Sequence, residues 1–196
     1  MPIERSELTL GILAGGRASR LGGLDKAWLQ REGEAQVLRL VRRFRDRVGA
    51  VRISANRDPG RYAAHGLSAV RDNLSDVGPF GGLEALAAAC TTPWLFTLPV
   101  DAVDAGPELL PALIAAQDGQ GAYAIDDDGV QPLFALWPAA PLRQALAQAA
   151  DAQRWAVREL QTGLGMAALR LDGLRFGNLN TPDDLAAAGF VPGLGD

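Results

Sequence analysis

The feature that restricts the chain most is a short apolar run, Leu8-Thr-Leu-Gly-Ile-Leu-Ala14, that ends in two glycines. A continuous apolar run of this length reads as a buried parallel strand, because a half-exposed strand alternates instead. The loop that follows, Gly15 to Lys26, is rich in glycine and carries Arg17, Arg20 and Lys26. Open α/β sheets bind ligands at the carboxyl ends of their strands, where this loop lies. Glycine lets main-chain N–H groups approach a polyphosphate closely, and the basic residues add positive charge. Spacing excludes two other phosphate loops. A Walker A loop needs Ser or Thr after its lysine, and Lys26 precedes Ala27; no G-x-G-x-x-G is present. The competing reading is an ordinary strand–helix connection with surface charges.

The rest of the first half alternates. Val37, Val41, Phe44 and Val48 fall at helical spacing, giving a helix over 35–48. Its arginines, Arg39, Arg42, Arg43, Arg45 and Arg47, read as a solvated face rather than an anion-binding patch, because the chain as a whole is acidic. Val51–Ser54 and Ser68–Arg71 read as strands, the latter ending at Asp72. A turn over Val77–Gly82 precedes a helix from Leu83 to Cys90. Pro93–Pro99 is a central strand ending at Asp101, and Pro107 opens a helix to about Gln117. This order predicts a three-layer α/β/α domain with a doubly wound, mostly parallel sheet.

The second half is less regular. Gly121–Ile125 and Gln131–Trp137 pair around Asp126-Asp-Asp-Gly129 as a small antiparallel hairpin. Helices follow near 139–149 and 153–161, then strands at 167–171 and 174–178. Thr181 caps a final helix with Pro182 at its first position, and the tail from Val191 is expected to fray. The expectation is one domain over 1–196, with a nucleotide-binding half at about 8–105 and an acceptor half at about 106–190.

Composition narrows the function classes. Nineteen basic and 23 acidic residues leave a net charge of −4, which argues against a nucleic-acid partner. One cysteine, Cys90, and one histidine, His65, leave no disulfide and no structural zinc site. His65 lacks the G-x-S-x-G elbow of a serine hydrolase, and Cys90 reads as a small packed residue. The charged N-terminus is no signal peptide, no stretch is apolar enough to span a membrane, and cytoplasm is expected.

Leu13-Ala-Gly-Gly16, followed by Arg20 and Asp25-Lys26, resembles the signature of the MobA-type nucleotidyltransferases, with the molybdenum cofactor guanylyltransferases as the best match. Ser54-Ala-Asn-Arg57, Val70-Arg-Asp72, Gly78–Leu83, Leu98-Pro-Val-Asp101, Gln131–Leu136 and Asn178–Leu185 are similar to further segments of that family, in the same order. The resemblance implies GMP transfer from GTP to the terminal phosphate of molybdopterin, releasing pyrophosphate, with Mg²⁺ as cofactor. It implies that Leu13, Ala14, Gly15, Gly16, Lys26, Asn56, Asp72, Gly82 and Asp101 bind the nucleotide. Arg20, Lys26 and Asp101 would be catalytic, Asp101 would hold the metal, and Asn178 and Asn180 would lie toward the acceptor. It also implies transient contacts with cofactor-biosynthesis proteins and molybdoenzymes.

Each assignment has a structural counterpart: Asp101 as a turn cap before Pro107, Asp72 in an Asx turn with Asn73, and Asn178 and Asn180 as loop-ordering residues. Ser54, Val100, Ala102-Val103 and Gln131 depart from the family's Asn, Cys, Thr-Pro and His. These departures leave open a related cytidylyltransferase, a transferase for another phosphate or sugar phosphate, and a silent nucleotide-binding protein of the same fold.

Overall fold

The computed structural model describes residues 3–15 and 24–193. Among these, β1 (Leu8–Leu13) is followed by a short hairpin, β2 (Gln30–Arg31) and β3 (Glu34–Ala35), and by α1 (Gln36–Phe44). Next come β4 (Ala50–Ser54), α2 (Pro59–Ala64), β5 (Ala69–Val70), α3 (Pro79–Ala89), β6 (Trp94–Pro99) and α4 (Leu109–Ala116). The second half holds β7 (Ala122–Asp126), β8 (Gly129–Pro138), α5 (Ala139–Asp151), α6 (Val157–Leu164), β9 (Ala167–Arg170) and α7 (Pro182–Ala187).

Seven of these strands form one sheet in the order β5-β4-β1-β6-β8-β7-β9. All neighbours are parallel except β8, which runs against both β6 and β7. The apolar run of β1 explains its central place. Leu8, Leu10 and Ile12 are at most 2% exposed and pack with α1 and α4. Each such side chain stabilises the fold by about 2 kcal/mol. On the other face Gly11 leaves room for α3, since a Cβ there would lie 3.1 Å from Leu86. The helices α3, α5 and α6 cover that second face through Phe80, Leu83, Leu142, Leu146 and Leu160. The result is the expected three-layer α/β/α arrangement.

The strand order places the switch in winding between β1 and β6. The chain moves outward from β1 to β4 and β5, then returns to the other side of β1 as β6. The carboxyl ends of β1 and β6 therefore lie side by side, with Leu13 paired to Pro99, and flank a crevice at this switch, the usual ligand position in such sheets.

The hairpin forms as the Asp-Gly signal predicts. Gly129 takes a φ of 113°, which a side chain would make costly. Its register slips between Tyr123 and Ala124, whose partners on β8 are Ala135 and Gln131. Residues 132–134 thus bulge out of the ladder, and Pro132 has no N–H to lose. Their carbonyls are satisfied from the sides: Thr97 Oγ1 donates to Leu133 O at 2.7 Å, and Gln161 Nε2 donates to Pro132 O at 3.1 Å.

Asp126 ties this hairpin to the chain beyond β9. It is 1% exposed, and its carboxylate accepts from Gln131 Nε2 and the N–H groups of Asp128 and Phe176 at 2.9, 3.0 and 3.0 Å. Burial raises its pKa, but these hydrogen bonds outweigh it and hold the carboxyl below its usual range. A depressed pKa contributes stability at neutral pH that is lost as pH falls through the folded value, here below about pH 4. We expect Asp126→Asn to lower unfolding free energy at pH 7 by about 2 kcal/mol and to flatten its acid limb. Urea titrations at neutral and acid pH test this, and an unchanged pair of curves would contradict the anchoring role.

Four local expectations are corrected. The span 77–82 is not a turn throughout, because Pro79 starts α3 and fits its first turn, where no N–H is needed. Residues 174–178 form no strand; Gly177 takes a φ of 67°, and the Phe176 carbonyl accepts from Val103 and Asp104 instead of a sheet partner. Val191 is not frayed, since it exchanges two backbone hydrogen bonds of 2.8 Å with Gln30. The helix expected from Pro107 begins at Leu109.

Candidate active site

The crevice at the switch is a cleft of about 930 Å³, lined from the ends of β1, β4 and β6, the loop after β5, the start of α3, the β8 bulge and the loop before α7. At one wall the sequence Asp25-Lys26 enters a tight turn, Lys26–Trp28, capped by Asp25, whose carboxylate accepts from Ala27 N at 3.0 Å. Ala27, Trp28 and Leu29 are buried, which anchors the turn and leaves Lys26 directed at the cleft. Lys26 Nζ donates to Asp101 Oδ2 at 2.9 Å and to Asn180 Oδ1 at 2.7 Å. The Lys26 and Asp101 side chains are each 20% exposed, so the pair is only partly screened by water. An ammonium has three donors, and among the described residues this pairing uses two.

Asp101 follows β6 by two residues. Val100 N donates to Leu13 O at 2.9 Å, which locks the β6 exit against the β1 exit. No hydrogen bond from the described residues reaches Asp101 Oδ1. Asn180 is positioned by α7. Thr181 caps this helix, and Asp184 reaches back to the N–H groups of Thr181 and Asn180 at 2.8 and 3.0 Å. The Thr181 side chain, those N–H groups and the charge of Lys26 hold Asp184 below the usual carboxylate range.

The opposite wall is a second network. Asp72 accepts from Ser54 Oγ at 2.7 Å and Asn56 Nδ2 at 2.9 Å, while its own N–H donates to Asn56 Oδ1 at 3.0 Å. Asp72 therefore does not turn onto Asn73, which pairs with Glu84. Glycines on both sides leave room for this network. A Cβ on Gly15 would lie 3.0 Å from Asn56 Nδ2 and 3.2 Å from Asp72 Oδ2. One on Gly82 would come within 2.7 Å of Ser54 Oγ. Ser54, which departs from the family's Asn, is fully buried and serves Asp72.

The structure thus brings Leu13, Ala14, Gly15, Lys26, Asn56, Asp72, Gly82, Asp101 and Asn178 to one cleft, with Asn180 touching Lys26. Gly16 and Arg20, together with Arg17, lie outside the described residues. Asn180 meets Lys26 and so is not separated from the expected phosphate side. Sequence reasoning missed the β8 bulge, whose Pro132, Leu133 and Phe134 line the cleft. Only Pro132 in a strand-like run hinted at it. It also missed Gln36, which carried no motif.

Charge shows what the cleft needs. Its described lining has four carboxylates, Asp25, Asp72, Asp76 and Asp101, against two cations, Lys26 and Arg57. A polyphosphate would meet net negative charge there without further cations. The donor set suits a hard divalent ion that keeps several waters: Asp101 lines the cleft, its Oδ1 accepts no hydrogen bond from the described residues, and those residues hold no cluster of three or more His, Cys, Asp or Glu.

The arginine-rich face of α1 is engaged elsewhere. Arg42 grips Glu34 through two bonds of 2.9 and 2.8 Å, which lower the Glu34 pKa, and Arg43 donates to Ala105 O. No helix among the described residues is long and apolar enough to cross a membrane.

Comparison with known proteins agrees with this geometry. Residues 10–164 match the model of the MobA-like NTP transferase domain. A molybdenum cofactor guanylyltransferase of Cupriavidus pinatubonensis is 33% identical over 193 residues, covering 93% of this chain and 96% of the relative. One from Cereibacter sphaeroides is 38% identical over 189 residues, covering 90% and 93%. The crystal structure of molybdopterin-guanine dinucleotide biosynthesis protein A from Archaeoglobus fulgidus shares the fold, with a TM-score of 0.69 at 19% identity over 92% of this chain and 96% of that one. A chain that matches the family model over most of its length, and whose cleft is built from the family's motifs, belongs to the MobA-like NTP transferases.

Proposed function

We propose that the protein transfers GMP from GTP to the terminal phosphate of molybdopterin. An oxygen of that phosphate attacks the α-phosphorus of GTP, the bond to the bridging oxygen breaks, and pyrophosphate leaves. The observation that carries this reading is the meeting of Lys26, Asp101 and Asn180 across from Gly15 and Asp72 in one cleft at the sheet's switch point. The relatives' name, molybdenum cofactor guanylyltransferase, supports this choice of substrates.

In this reading the main chain of Leu13–Gly16 with Asn56, Asp72 and Gly82 receives the nucleotide. Lys26 and Arg20 stabilise the charge that grows on the leaving pyrophosphate. Asp101 holds Mg²⁺, which, when bound, supplies the positive charge that the described lining lacks. Asn178 and the wall of the β8 bulge face the acceptor, so 8–105 serves mainly the nucleotide and 106–190 mainly the acceptor. Catalysis is then positioning and electrostatics, with no covalent step on the protein. The reaction belongs in the cytoplasm, with transient transfer of the product to molybdoenzymes.

The test is calorimetric titration of the purified protein with GTP, CTP and ATP in Mg²⁺, followed by transfer assays with molybdopterin. The expected result is binding of GTP at least about tenfold tighter than CTP, a difference of about 1.4 kcal/mol. Preference for CTP would keep the chemistry and change the product. Binding of none, with or without molybdopterin, would leave a silent member of the fold.

A further inference from the structure

We propose that Gln36 is a positioning residue that holds the Asp101 loop and the Lys26 turn in one fixed relation. Gln36 is 2% exposed and lies at the start of α1, outside every motif of the cleft. Its side-chain Nε2 donates to Val100 O at 3.0 Å and to Ala102 O at 2.7 Å, the carbonyls on either side of Asp101. Its main-chain N–H donates to Leu29 O at 2.9 Å, the residue after the Lys26–Trp28 turn. One residue therefore grips both elements that present the ion pair.

The chemistry requires an amide here. Two carbonyls converge on one buried point, and a single –NH₂ can satisfy both because it has two donors. A hydrocarbon would leave both carbonyls without partners, and a carboxylate would repel them. The grip matters because Asp101 must be set relative to Lys26 before either meets a phosphate. A misplacement of about 1 Å at such a centre costs about a hundredfold in rate. This inference rests on the proposed transfer reaction for its kinetic part and on geometry alone for its structural part.

The test compares Gln36→Met, which keeps length and removes both side-chain donors, with Val41→Ala, a buried change on the same helix whose side chain has no hydrogen bond to give either loop. The first readout is amide exchange in the protein without nucleotide or metal. In Gln36→Met, exchange at Ala102 and Val103 should rise about tenfold, relative to Val41→Ala at matched global stability. The second is steady-state transfer: kcat should fall about tenfold to a hundredfold in Gln36→Met, while the KM for GTP moves less than about threefold. Equal exchange and equal kcat in the two variants overturn the proposal, as does a loss shared by both. If the wild-type protein transfers no GMP, the proposed reaction fails, and the exchange experiment still decides whether Gln36 is the brace.

Discussion

Lys26→Ala is expected to reduce GMP transfer by about a hundredfold to a thousandfold while leaving the protein folded, because removing one preorganised donor from a charge-developing site costs about 3–4 kcal/mol of barrier. The ion pair with Asp101 is small as a stabilising contact, about 1 kcal/mol, so melting should fall only about 3 °C. Its value lies in where it points. Among the described residues Lys26 spends two donors, on Asp101 and Asn180, so the ammonium is held by the protein before a ligand arrives. Lys26→Arg should rescue only partly, since a planar guanidinium cannot reproduce a tripod of donors around one nitrogen. The split between constants identifies the role. A fall in kcat with little change in KM for GTP marks a contact made as pyrophosphate charge develops, whereas a rise in KM alone marks ground-state binding. Wild-type rates in Lys26→Ala would remove this residue from the chemistry.

What could be read in advance, and what could not, follows from how local each feature is. The β1 run was legible because strand burial is written in consecutive residues. The α7 start was legible for the same reason: Thr181, Pro182 and Asp184 form a self-contained cap. The hairpin announced itself through Gly129, but its bulge did not. The displacement of 132–134 depends on Thr97 and Gln161, which come from another strand and a distant helix. Residues 174–178 were misread because their apolar content suited a strand, while their actual partners are Val103, Asp104 and Asp126. Gln36 was invisible for a related reason. A polar residue at a helix start looks solvent-facing unless the two carbonyls it serves, 64 and 66 residues away, are known. The described site residues drawn from the resemblance lie together in the cleft, with Asn180 reaching it through Lys26.

Asp101→Asn should produce the second large effect, a loss of about a hundredfold to a thousandfold in transfer, together with a weakened response to magnesium. Asparagine keeps the side chain's shape and one oxygen that can accept from Lys26 Nζ. It removes the negative charge that a hard divalent ion prefers. Shape and charge are thereby separated, which alanine would not do. If Asp101 holds the metal, the Mg²⁺ concentration giving half-maximal rate should rise by about tenfold, or about 1.4 kcal/mol of lost binding. Chelation of the wild-type enzyme should abolish transfer, and added Mg²⁺ should restore it. Lys26→Ala, by contrast, should lose rate with little change in that half-maximal concentration, because Asp101 Oδ1 receives no hydrogen bond from Lys26. The double variant should lose less than the two single losses combined, since the residues touch and act on the same phosphates. Normal rate and normal magnesium response in Asp101→Asn would reduce Asp101 to a holder of Lys26, and the metal's ligands would then have to be sought elsewhere in the chain.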